Sequence, residues 1–79
     1  MPEFDLDAAL NPVLPEFPER NLRLQMHRWP RYNEVFARSV HVNPHGEIHA
    51  FAEIGRSRRK TVVITVSRWD PESGIWRLT

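Results

Sequence analysis

A chain of 79 residues, 41% of them hydrophobic, with a net charge of +1, is enough for one small domain with a limited core. The absence of cysteine excludes disulfide staples and thiolate-zinc sites, and apolar stretches of only a few residues exclude a membrane-spanning helix, which needs about 20. The net charge conceals a division: residues 1–19 hold five acidic residues and no Lys or Arg, for −5, while residues 20–79 hold all 11 basic residues and the other five acidic ones, for +6.

Residues 1–20, MPEFDLDAALNPVLPEFPER, form an acidic segment with Pro2, Pro12, Pro15 and Pro18. Those prolines forbid a long helix in its second half, so it is expected to be largely extended, with at most one or two helical turns over 5–10. Phe4, Leu6, Leu10, Val13, Leu14 and Phe17 are too apolar for a spacer. The segment therefore reads as a docking arm, placed on its own body, on a second copy or on another protein. Its acidic start lacks the cationic and apolar regions of a secretory signal, and a soluble cytoplasmic protein is the expectation.

From residue 21 to 79 the chain reads as an antiparallel β domain. LRLQMHRW alternates Leu22, Leu24 and Met26 with Arg23, Gln25 and His27, a period-two pattern that predicts a strand ended by Pro30. EVFARSVHV and EIHAFAEI predict two more, joined by the turn NPHG. TVVITVSRW predicts a fourth, and IWRLT, after DPESG, a fifth. The fold class expected is all-β: a small five-stranded meander or a barrel of the SH3 or OB type.

The two turns set registers. In VNPHGE, Pro44 and Gly46 suit a type I turn with a G1 bulge. Asn43 then pairs with Glu47, Val42 with Ile48, Val40 with Ala50, Phe36 with Ile54, and His41 with His49. In WDPESGIW, a four-residue loop with Gly74 in the left-handed region pairs Trp69 with Trp76 and Arg68 with Arg77. Like charges directly opposite each other are unfavourable, a cost easier to understand if a carboxylate or an external anion sits between them.

The densest charge is in GRSRRK, where Arg56, Arg58, Arg59 and Lys60 follow one another between the third and fourth predicted strands. A solvated hairpin loop that blunts edge pairing would account for it. A second basic set, Arg20, Arg23, Arg28 and Arg31, is interleaved with Trp29 and Tyr32. Cations for phosphate and rings for stacking are what a single-stranded nucleic acid requires. Arg23, Arg28, Trp29, Arg31 and Tyr32 therefore join Arg56, Arg58, Arg59 and Lys60 as candidate anion-binding residues. No RNP, KH, helix-turn-helix or finger motif accompanies them. His41, His49 and Glu47 share one strand face and form a weak candidate metal set. No nucleophile elbow or Gly-rich phosphate loop occurs.

These features favour a non-enzymatic binding protein without a cofactor, whose Arg-rich loops contact nucleic acid or a ribonucleoprotein surface. The alternative is a protein-binding module, such as a phage or mobile-element type inhibitor or an accessory subunit. It would use the apolar acidic arm, and TVVITV, apolar on both faces, would fit a homodimer.

Overall fold

The computed structural model describes residues 14–57 and 59–79. The chain forms helix α1 (Glu19–Arg28) and strands β1 (Glu34–Val42), β2 (Ile48–Arg56), β3 (Lys60–Asp70) and β4 (Ile75–Leu78). The strands make one antiparallel meander in the order β1-β2-β3-β4. It does not close, so the fold is mostly β with one short helix, and neither all-β nor a barrel.

The strand predicted over 21–29 is a helix. Leu22 and Gln25 are its buried residues, one turn apart, with Met26 beside them and Leu24 51% exposed. The apolar set Leu22, Leu24, Met26 fits a period of two, but the residues that pack inward follow a period of 3.6. Residues 19–28, ERNLRLQMHR, contain no glycine, proline or β-branched residue, and all but Asn21 and His27 are fair to good helix formers. Glu19 in the first turn and His27 and Arg28 in the last complement the helix dipole. Pro18 precedes the helix. At its other end the Trp29 N–H is shared between the carbonyls of Gln25 and Met26 before Pro30.

The first hairpin pairs Val42 with Ile48, His41 with His49 and Val40 with Ala50, as the turn predicts. Asn43 Oδ1 accepts the N–H groups of His45 and Glu47 at 3.0 and 2.9 Å, and Gly46 takes φ +80. Towards the start of β1 an irregularity between Val35 and Ala37 shifts the ladder. Ile54 consequently faces Val35, not Phe36 as predicted. The Phe36 ring lies over Gly55, where an added Cβ would stand 2.9 Å from Phe36 Cε2. A second irregularity, opposite Ala50 and Phe51, leaves Val66 as the extra residue of β3. Val66 and its neighbour Ser67 are both fully buried. The second hairpin has the predicted pairs Trp69–Trp76 and Arg68–Arg77, the indoles meeting edge to face at 5.5 Å.

One sheet face carries the core. Ala50, Ala52, Ile54 and Val66 meet Leu22, flanked by Phe17, Met26, Tyr32, Val40, Val62, Ile64 and Trp76. A polar seam fixes the helix on this face. Asn21 Nδ2 donates to Ser67 Oγ (2.6 Å), Ser67 Oγ donates to the Arg77 carbonyl (3.0 Å), and Gln25 Nε2 donates to the Thr79 carbonyl (3.2 Å). The extended segment before the helix lies against the same layer. Phe17 packs on the core with the Arg38 guanidinium 5.5 Å from its ring centre, and Trp76 Nε1 donates to the Glu16 carbonyl at 2.9 Å. Leu14 is half-buried. Phe4, Leu6, Leu10 and Val13, and the helical turns expected over 5–10, lie outside the described residues.

Candidate anion-binding groove

The turn between β2 and β3 and the connection from α1 to β1 meet at one end of the sheet. Arg56 and Lys60 are directly paired across the hairpin. They lie two residues beyond the paired Ile54 and Val62, so period-two alternation places them on the core-facing side of the sheet. The turn is tight: Arg59 N–H donates to the Arg56 carbonyl (3.2 Å), and Ser57 takes a left-handed φ of 53. Glu34, at the start of β1, accepts the Ser57 N–H on Oε2 at 3.2 Å and anchors the turn. The α1–β1 connection is itself a turn, closed by the Tyr32 N–H to the Trp29 carbonyl at 3.0 Å, with Pro30 at its first central position.

These two turns enclose an open cleft of about 530 Å³ lined by Arg31, Tyr32, Arg56, Ser57, Arg59 and Lys60. Its four cationic side chains are exposed. Among the described residues the ion pairs are Arg38–Glu19, Arg68–Glu47 and Arg77–Asp70, and none involves a cleft cation. A second recess of about 320 Å³, lined by Arg28, Trp29, Pro30, Arg31 and Tyr32, adjoins the cleft, and Arg31 and Tyr32 belong to both. Trp29 is 36% exposed.

The fold thus brings Arg28, Trp29, Arg31 and Tyr32 to the same end as Arg56, Arg59 and Lys60. Arg23 is exposed on α1 and lines neither recess, and Arg58 lies outside the described residues. Sequence reasoning passed over Glu34 and Ser57. Their hydrogen bond spans residues far apart in the chain and leaves no local signal.

The opposite end is basic and acidic in balance. Arg68 Nη1 donates to Glu47 Oε2 (3.2 Å) and Arg77 Nε to Asp70 Oδ2 (2.8 Å), so the paired arginines each have their own carboxylate. A recess of about 630 Å³ between the two hairpin tips includes Glu47, Arg68 and Asp70, whose charges are engaged in these bonds. Glu47 is held below the usual carboxylate range by the Asn43 side-chain amide and then by Arg68. Asp70 is held well below its ordinary 3.8 by the Ser73 hydroxyl and then by Arg77, with the Glu72 N–H adding to both.

A carboxylate whose pKa is lowered on folding stabilises the fold above its unfolded pKa and ceases to do so as pH falls through its folded value. The melting-temperature deficit of Asp70→Asn should therefore be full above about pH 4 and shrink progressively as the pH falls below it. A deficit that stays constant as the pH falls, in a thermal-denaturation series, would contradict the assignment.

His41 and His49 are cross-strand neighbours, as the turn predicts. Both rings pack near Phe51, at 5.8 and 6.2 Å between centroids. His41 Nε2 lies 2.8 Å from Ser39 Oγ, and the Glu47 oxygens are turned to Asn43 and Arg68. Among the described residues no group of three or more His, Cys, Asp or Glu could hold a metal ion, and no helix is long and apolar enough to cross a membrane. Comparison with known proteins finds no family model that matches this chain, and no curated protein or solved structure significantly similar to it.

Proposed function

We propose that this is a non-enzymatic binding protein whose cationic cleft takes the phosphate backbone of a nucleic acid, free or within a ribonucleoprotein. The observation that carries the reading is the convergence of Arg31 with Arg56, Arg59 and Lys60 from two separate chain segments, without a carboxylate paired to any of them among the described residues. Elsewhere in the molecule Arg38, Arg68 and Arg77 have internal partners. Four like charges facing one cleft repel each other, and an anion with several oxygens relieves that repulsion. Arginine is well suited to the task, because its planar donors grip phosphate in pairs.

Phosphate contacts release counterions, so binding should weaken steeply with salt. Titrating a labelled single-stranded oligonucleotide against the full chain at several salt concentrations tests this. Changing Arg31, Arg56, Arg59 and Lys60 together to Ala should weaken binding by orders of magnitude and reduce the log–log salt slope by about 0.7 for each phosphate contact removed. Absence of binding by the parent at low salt, or an unchanged variant, would overturn the proposal.

A protein partner is the second reading, and one observation favours it. The sheet face away from the helix exposes Val63 (69%) near the half-buried Phe51 and, at its other end, Ile75 (50%), apolar side chains a second copy or another protein would cover. In this reading the arginines meet carboxylates. A concentration-dependent melting temperature would support a homodimer.

A further inference from the structure

We propose that the recess formed by Trp29, Pro30 and Tyr32 seats one unstacked base, so that the groove selects single-stranded nucleic acid over duplex and over other polyanions. The inference rests on the phosphate reading of the adjoining cleft and adds what that reading leaves open, the kind of polyanion bound. Three observations carry it. The recess and the cationic cleft share Arg31 and Tyr32, so a chain that places phosphate against Arg31, Arg56, Arg59 and Lys60 has its next base beside the aromatic turn. The recess is walled mainly by apolar surface, and its volume of about 320 Å³ falls at the small end of ligand recesses, about 300–1,000 Å³.

The walls are also held in place before any ligand arrives. The Tyr32–Trp29 hydrogen bond and Pro30 fix the backbone of the turn, and Tyr32 packs against the core, so the tyrosine ring loses little freedom on stacking. Arg28 and Arg31 flank the rings, where a guanidinium can lie over a base face or reach its edge. A base inside a duplex is covered above and below by its neighbours and cannot enter such a recess without being unstacked, at a cost of a few kilocalories per mole. Phosphate-rich or sulfated polymers without bases satisfy the cleft and leave the recess empty.

The test compares four ligands on the full chain at one salt concentration: a short oligothymidylate, an abasic deoxyribose-phosphate oligomer of the same length, a duplex of the same length, and a sulfated polysaccharide. Base stacking predicts that the parent binds the oligothymidylate about tenfold to a hundredfold more tightly than the abasic oligomer. Trp29→Ala should remove that advantage, bringing oligothymidylate binding down to the level of the abasic oligomer, and Trp29→Phe should retain most of it. Equal binding of the two single-stranded oligomers by the parent would overturn the base recess and leave the phosphate cleft standing. Tighter binding of the duplex or the polysaccharide would likewise overturn it. Failure of the parent to bind any of the four would remove the phosphate reading and this inference together. The central comparison is made on the unaltered protein, so it does not depend on the folding of a variant.

Discussion

Gly55→Ala should lower the melting temperature by roughly 10–20 °C. An added Cβ would lie 2.7 Å from the Lys60 carbonyl oxygen, 2.8 Å from Thr61 Cγ2 and 2.9 Å from Phe36 Cε2. The methyl and the ring can give way. The carbonyl belongs to the β2–β3 ladder beside the basic turn, and moving it disturbs the pairing of Gly55 with Thr61 and of Arg56 with Lys60. Overpacking costs about 1–3 kcal/mol, and contact with backbone places this substitution in the upper part of that range. In a domain of 60–100 residues each kilocalorie moves the midpoint by about 4–8 °C. Thermal denaturation followed by circular dichroism measures the shift, and a midpoint within about 3 °C of the parent would contradict the close packing at this glycine.

A loss of about 2–5 kcal/mol is expected for Ile54→Ala, the range for deleting a large buried aliphatic side chain. Ile54 is fully buried, between Val35 on one neighbouring strand and Val62 on the other. Both neighbours are held by backbone ladders, so the cavity has little scope to collapse. Small domains have about 5–15 kcal/mol in all, and a buried core of Leu22, Ala50, Ala52, Ile54 and Val66 among the described residues leaves this one little reserve. Val63→Ala, one strand over at a position 69% exposed, should cost less than about 0.5 kcal/mol. Denaturant titration of both variants gives the comparison, and similar losses at the two positions would mean that the core lies on the other face of the sheet.

The hairpins were legible in the sequence because their information is local. Asn43, Pro44 and Gly46, and Asp70 with Gly74, specify turns whose geometry propagates outward one pair at a time, as far as His41–His49 and Arg68–Arg77. The prediction fails where a distant residue intervenes. Phe36 leaves the ladder at the point where Gly55 offers an empty site, and nothing near Phe36 announces that. The helix at 19–28 was missed because Leu22, Leu24 and Met26 satisfy two periodicities. Burial of Gln25, a polar residue that pairs with the Thr79 carbonyl, decides between them. Both halves of the groove were legible as basic and aromatic stretches. Their meeting was not, since it depends on where α1 delivers residues 28–32. Of the carboxylate or external anion expected between Arg68 and Arg77, the structure has two carboxylates, Glu47 and Asp70, one on each guanidinium and neither shared.

The order of the strands has a kinetic consequence. Each strand pairs with its immediate neighbour in the chain, so the sheet can zip up through short loop closures, and such local topologies fold quickly for a β-rich chain. The groove is different. Its walls, residues 28–32 on one side and Arg56, Ser57, Arg59 and Lys60 on the other, come from the end of the helix and from the sheet, so both must be in place together. A chain with all its hairpins formed and its helix undocked carries the same cations without the cleft. The cleft therefore needs the helix in place as well as the sheet, and it is lost when the helix lifts away.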